Sequence, residues 1–478
     1  MKRIILYIAF LATTLGIVNP VHAIVDPHQS PNNRFGVHIV DENDLDDAAK
    51  LVNSSGGEWG YITMVIREDE RDVGRWQSLF NRMREKKLIP VIRLATKGTD
   101  QGWEKPTEQD AKEWIAFFNQ LNWVVQNRYI ILFNEPNHAA EWQGKIDPTS
   151  YTHIVRAFHD EFKNASPDYF ILPAGFDQAA GDTNSTMDEV KYLDQMHEAD
   201  PDIFTFFDGW TSHAYPNPNF SGSSTASGRR SIRGFDWEIA YLEQYGIDHT
   251  TPIFITETGW AHQEGTTQNT SFKPADEVAR LFEEAYQTAW NDNRIVMISP
   301  FLLNYPDKPF DNFSWKKPGS SDYYPQYDRV LGLSKENGLP LQIETASAQF
   351  ARPLTKLTTN TTFYIPLKIT NTGQSIWESN DNADLIITDG NGREFGQVPI
   401  PSLKPFESAY LKLPVETKDQ TGSRSFTMQV EREGKTISTN STYTIAIEQE
   451  KPDKDWVMGK VKEFLSSSLK KTVFSFEG

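Results

Sequence analysis

From residue 34 onward the chain alternates between short apolar or aromatic runs and longer segments of helical period, and this alternation limits the possible folds more than any other feature. The runs are RFGVHIV (34 to 40), WGYITMVI (59 to 66), LIPVIRLA (88 to 95), RYIILFN (128 to 134), YFILPAGF (169 to 176), FTFFDGWTSHAY (204 to 215), PIFITET (252 to 258) and RIVMISPFLL (294 to 303). They are continuously apolar rather than alternating, as parallel strands covered on both faces must be. Seven amphipathic segments separate them. In 71 to 87, Trp76, Leu79, Phe80 and Met83 share one face; 107 to 124 opens with Thr107 and Asp110 in a capping-box arrangement; 274 to 291 begins at Pro274, a good first-turn residue. Eight such strands and seven helices predict an α/β fold, a (β/α)8 TIM barrel over 24 to 340, with its chemistry at the carboxyl ends of the strands.

After about residue 340 the pattern changes. TFYIPLKITNTG, ADLIITDGNG, SAYLKLPVE, SFTMQVEREGK and STYTIAIE are short, alternate in part, and are broken by Asn-Gly, Asp-Gly and Glu-Gly turns. They predict a small all-β immunoglobulin-like sandwich over 345 to 447. Residues 448 to 478 read as a charged linker and a short amphipathic tail, with Val457, Val461, Phe464 and Leu465 on one side and Lys460, Lys462, Lys470 and Lys471 elsewhere. Such a tail suits weak contact with a membrane surface, or simply frays.

At the other end, Lys2 and Arg3 precede the apolar run Ile4 to Val18, and Val21-His22-Ala23 offers small residues for a signal peptidase. Residues 1 to 23 are therefore expected to be a leader, and the mature chain to be secreted or associated with the cell envelope; an uncleaved anchor is the competing reading. The absence of cysteine rules out disulfides, thiolate metal sites and thiol nucleophiles. Without the two basic leader residues, 45 Lys and Arg face 65 Asp and Glu, a balance of −20. Such acidity disfavours nucleic acid and suits neutral or cationic substrates.

Two strand-like runs end on carboxylates. YIILFNEPNH carries Glu135 at the end of the fourth, and FITETGW carries Glu257 at the end of the seventh. A lone glutamate after a strand is often a helix cap or an arginine partner. Two of them, placed over one pore with aromatic surroundings, are the equipment for cleaving a glycosidic bond.

FNEPN (133 to 137), ITETGW (255 to 260) and SHAYP (212 to 216) resemble the signatures of glycoside hydrolase clan A, the retaining (β/α)8 enzymes, over roughly residues 34 to 335. FNEPN is similar to families 5 and 39, and ETGW and HAYP to families 17, 39 and 53. The resemblance implies Glu135 as acid/base, Glu257 as nucleophile and Asn134 as hydrogen-bond partner of the hydroxyl next to the reacting carbon. It implies that Tyr215 orients the nucleophile and that His213 lines the subsite. A satisfied core histidine or a zinc ligand is the plainer reading of His213, and no second histidine or cysteine lies at ligand spacing nearby.

His38, Arg67 and Arg93 are further candidates at the first three strands, for sugar hydroxyls or for holding a glutamate ionised, with an ordinary rim salt bridge as the alternative. Trp260 is the expected stacking platform, with Trp103, Trp142 and Trp210 behind it. Many clan members end strand eight on tryptophan; here FLLNYP offers Asn304 and Tyr305 instead. NTGQSIW (371 to 377) resembles an immunoglobulin-like module of extracellular enzymes, either a polysaccharide binder or a spacer. The expectation is an exported retaining glycosidase acting on a polysaccharide or oligosaccharide, with neither metal nor cofactor. The rival is an inactive barrel that binds carbohydrate at the envelope.

Overall fold

The computed structural model describes residues 24–352, 355–419, 421–438, 440–449 and 458–464. The expected leader, 1–23, and most of the tail lie outside the described residues. Residues 458–464 are helical and exposed. Among the described residues no helix is long and apolar enough to cross a membrane. The chain divides into two compact units, with the boundary between Leu341 and Gln342.

The first unit contains eight parallel strands: β1 Gly36–His38, β2 Gly60–Arg67, β3 Leu88–Ala95, β4 Arg128–Ile131, β5 Tyr169–Leu172, β6 Trp210–His213, β7 Ile253–Thr258 and β8 Ile295–Pro300. A helix follows each: α1 Leu45–Val52, α2 Val73–Glu85, α3 Glu108–Phe118, α4 Pro148–Ala165, α5 Glu189–Ala199, α6 Gly234–Leu242, α7 Ala275–Gln287 and α8 Pro325–Leu331. β1 to β5 form one parallel sheet in sequence order, and β6 to β8 a second. Parallel bridges join the two at both edges, from Phe35, just before β1, to Ile298 in β8, and from Asp177, past β5, to His213 at the end of β6.

Burial explains the sequence pattern. β4 to β8 are buried almost throughout, so each strand needs apolar residues on both faces. Within this interior Thr63 Oγ1 pairs with Ser299 Oγ at 2.9 Å. Helix starts follow their capping chemistry. α3 carries the reciprocal Thr107 and Asp110 box, whereas Pro274 stands at the N-cap of α7 rather than inside its first turn. Several strands are shorter than the apolar runs that encode them. The run at 204 to 215 contributes only Trp210–His213, and the run at 128 to 134 stops as a strand at Ile131, leaving Glu135 beyond the strand end.

In the second unit all five predicted segments are strands. β9 Ala346–Phe350, β11 Thr362–Asn371 and β14 Ser408–Glu416 form one sheet; β10 Lys356–Thr358, β12 Asp384–Asp389, β13 Glu394–Pro399, β15 Gly422–Arg432, β16 Lys435–Thr436 and β17 Ser441–Glu448 form the other. Leu367 and Leu413 from the first sheet share one apolar core with Leu385, Met428 and Ile445 from the second. Trp377, which ends NTGQSIW, is buried in that core.

Candidate active site

At the carboxyl ends of the eight strands lies a cavity of about 450 Å³, lined by Arg93, Asn134, Glu135, Tyr215 and Glu257 together with aromatic walls that include Trp103, Phe220 and Phe313. Glu257 belongs to β7, at a point where the strand's register shifts against both β6 and β8. Glu135 lies four residues past β4, on backbone that β-sheet geometry does not set. Phe133 has φ 75° and Glu135 φ 26°, both disfavoured for residues with a Cβ and retained only where surroundings impose them. Those surroundings are visible: Glu135 N donates to Gly175 O at 3.1 Å, and Phe133 packs edge to face on Phe158 and Trp142.

Glu257 is held on both oxygens. Arg93 Nη1 donates to Oε1 at 2.6 Å and Tyr215 Oη to Oε2 at 3.1 Å. The same Arg93 nitrogen donates to Asn134 Oδ1 at 2.6 Å. His213 Nδ1 lies 2.8 Å from Glu135 Oε1 and 3.9 Å from Glu257 Oε2. A carboxylate oxygen of Glu135, one of Glu257 and a ring nitrogen of His213 all fall within 4.8 Å of one another. The imidazole fits there because residue 175 is glycine: a Cβ at that position would stand 2.2 Å from His213 Cδ2.

These contacts set the charges. Burial pushes the Glu257 carboxyl up, but His213 and Arg93 outweigh it and bring it down to about 2. His213 is raised: burial lowers it, and the attraction of Glu257 and Glu135 prevails. Burial and the neighbouring Glu257 charge carry the Tyr215 phenol well above its usual range, so it stays a donor. His38 is driven down to about 3 by burial and by Arg93. Among the described residues, Glu135, His213 and Glu257 are also the group whose ligand atoms converge closely enough for a metal ion. Arg93, Tyr215 and the His213 to Glu135 bond already engage those atoms, which is the donor pattern of a hydrogen-bonded acid pair.

The structure brings Glu135, Glu257, Asn134, Tyr215, Arg93 and His213 together and places Trp260, Arg67, Asn304 and Trp210 elsewhere. Trp260 does not face the cavity. It is buried, donates from Nε1 to Gly222 O at 2.8 Å and packs edge to face on Phe282, because the left-handed Gly259, φ 124°, turns the chain after β7. Arg67 turns to Asp69 at 3.0 Å and to Glu70 at 3.4 Å, the ordinary rim pairing. Asn304 donates to the buried Asp44 at 3.0 Å. His38 is buried against Phe301, with its charge partners Arg93 and Glu257 on the cavity side. Trp210 is core; Trp103 and Trp142 line the cavity, Trp103 half-buried.

Among the lining residues that escaped sequence reasoning are His138, Asp177 and Glu141. His138 Nε2 meets Asp177 Oδ2 at 2.9 Å, a contact between segments 39 residues apart that no local pattern announces. Glu141 is raised to about 7, by burial first, with Arg93 opposing and Glu135 reinforcing. Its only signal was position, six residues after Glu135.

No family model matches the chain, and no curated protein does. Among solved structures, a calcium-binding mutant of β-glucuronidase 2 from Bacteroides uniformis is 10% identical over 88% of this chain and 46% of that one, with a TM-score of 0.42. An endo-β-1,4-glucanase from Xanthomonas axonopodis pv. citri, a triple mutant, is 13% identical over 63% of this chain and 98% of that one, also at 0.42. The CARDB domain of the PF1109 protein from Pyrococcus furiosus is 15% identical over 23% of this chain and 96% of that one, at 0.19. The chain spans about half the length of the B. uniformis β-glucuronidase chain it matches. At these identities and scores the likenesses assign no activity to this chain.

Proposed function

We propose that the chain is a retaining β-glycoside hydrolase of clan A, a (β/α)8 barrel followed by an immunoglobulin-like module. The convergence of Glu135 and Glu257 carries this reading: their nearest oxygens fall within 4.8 Å, in keeping with the roughly 5 to 5.5 Å of retaining pairs and well short of the gap that admits a water. The charge states agree with it. Glu257, held at about 2, is ionised at any physiological pH and fit to attack. Glu135 is bonded to His213, whose pKa the two glutamates raise.

In the first step a Glu257 oxygen forms an ester bond to the anomeric carbon while the glycosidic C–O bond breaks, and the departing oxygen takes a proton from Glu135. In the second, Glu135 removes a proton from water, water attacks the same carbon, and the ester bond breaks to restore Glu257. Arg93 and Tyr215 keep the attacking carboxylate fixed in both steps. Following product configuration by NMR on a β-linked oligosaccharide tests the reading: the first-formed product should be the β-anomer, and an α-anomer would overturn it. Export belongs to the same reading and rests on residues 1 to 23; the N-terminal sequence of the exported protein should begin at Ile24.

A further inference from the structure

Glu141 is a cavity carboxyl with no task in the proposed displacement. Glu141 ends the 3-10 turn Ala139–Glu141 and faces the cavity. The turn is fixed from several sides. Ala139 N donates to Ser185 O and Gln143 N to Trp103 O, both at 2.8 Å. The buried Trp142 ring stands between Phe133 and Tyr151, with centroids 5.7 and 5.4 Å away. Gly102 lets its hairpin press on the turn, since a Cβ there would come within 2.0 Å of Ala140 O. A side chain on so constrained a turn is pre-positioned for what enters the cavity.

Its neighbours locate it relative to a bound sugar. Arg93 Nη1 bonds both Glu257 Oε1 and Asn134 Oδ1 at 2.6 Å, so the Asn134 amide lies one nitrogen away from the attacking carboxylate. A sugar whose anomeric carbon rests on Glu257 brings the substituent of the adjacent carbon to Asn134. The Asn134 side chain also acts on Glu141, which lines the same cavity and is the next group that substituent meets.

Charge then decides what the substituent is. In the cavity lining, Arg93 pairs with Glu257, His213 with Glu135 and His138 with Asp177. Glu141 is left to the neutral Asn134 amide, to the shared attraction of Arg93, and to repulsion from Glu135 and Glu257. A neutral hydroxyl offers Glu141 a hydrogen bond but no relief from this repulsion, whereas a cation offers both. An anionic sugar would add to the repulsion.

We propose that Glu141 is a specificity residue that receives the ammonium group of an amino sugar beside the scissile bond, so that the substrate is a glycan with free amines. This rests on the glycosidase reading above. The test compares kcat/KM on three matched β-linked oligosaccharides, bearing free amines, N-acetyl groups or hydroxyls, for the wild type and Glu141→Gln. The wild type should prefer the free amine by about tenfold or more, the worth of a charge-assisted hydrogen bond, and the variant should lose most of that preference. No preference in the wild type, a preference that survives in the variant, or an equal loss on all three substrates would overturn the inference and leave the glycosidase reading intact. Should no glycoside be turned over, that reading falls, and calorimetry with the free-amine oligosaccharide decides the inference: weaker binding by Glu141→Gln than by wild type upholds it, and equal or absent binding removes it.

Discussion

The imidazole Nδ1 of His213 lies 2.8 Å from Oε1 of Glu135, which ties the proposed proton donor to a group that is itself a proton reservoir. The carboxylates beside it raise the pKa of His213 above its ordinary 6.5, so the imidazolium is lost at a higher pH than that of a free histidine. The basic limb of kcat/KM should therefore lie above pH 6.5. Replacing His213 with Asn should reshape that limb and slow unactivated glycosides by roughly ten- to a hundredfold, less for substrates with acidic phenol leaving groups, since proton donation is what is impaired. A variant with an unchanged pH profile would show that His213 serves packing alone.

Gly175 offers a purely steric probe of the same pair. The Cβ of alanine there would stand 2.2 Å from His213 Cδ2 and 2.5 Å from Nε2, and the buried ring is tied to Glu135 and has little room to retreat. Gly175→Ala should cost about 1 to 3 kcal/mol of stability, as overpacking does, and should lower activity in parallel with the His213 variant. Denaturant unfolding gives the first number and initial rates the second. A variant as stable and active as wild type would mean that the ring moves freely.

Much of this site was legible because strand grammar carries it. Glu257, Arg93 and Tyr215 are read from the ends of apolar runs, and the parallel sheets deliver them to one place. Glu135 was legible from its motif only: the strand stops at Ile131, and the positive φ of Phe133 and Glu135 is imposed by tertiary contacts that no propensity encodes. Trp260 was misplaced for a related reason. Adjacency to the nucleophile suggested a sugar platform, but the left-handed Gly259 turns the ring into the core against Phe282. Glu141 and the His138 to Asp177 pair depend on loops meeting across the cavity, a long-range property. In the second unit, alternation and the Gly-containing turns sufficed for five strands, while the two- and three-residue strands Lys435–Thr436 and Lys356–Thr358 are too short to leave a period.

Glu141 also makes a prediction about stability that needs no substrate. Its folded-state pKa, about 7, exceeds the ordinary 4.5, so the fold favours the protonated form. Its stabilisation is complete below pH 4.5 and disappears as pH rises through about 7. Glu141→Gln, fixed in a neutral form, should therefore gain on the wild type as pH rises from 5 to 8, by roughly 2 to 3 kcal/mol at most. Melting temperatures of both proteins across that range provide the check. A gap that stays constant with pH would place the Glu141 carboxyl in an environment no less solvated than bulk water.

The two glutamates of the proposed displacement can be separated by leaving-group chemistry. Glu135→Gln removes proton donation to the departing oxygen, and later the base that activates water, but leaves Glu257 in place with Arg93 and Tyr215 on its oxygens. An aryl glycoside with an acidic phenol needs no proton to depart, so this variant should still form the ester at Glu257, accumulate it, and release it faster when azide replaces water as nucleophile. The product is then a β-glycosyl azide, formed without any base. Glu257→Gln removes the attack itself. Its losses should reach several orders of magnitude on activated and unactivated substrates alike, and azide at that stage should restore nothing on a β-glycoside. The measurements are burst kinetics on one activated and one unactivated glycoside, with the azide adduct identified by NMR. If Glu257→Gln turned over the activated substrate at close to the wild-type rate, or if azide rescue followed Glu257→Gln and not Glu135→Gln, the two roles would have to be exchanged or abandoned.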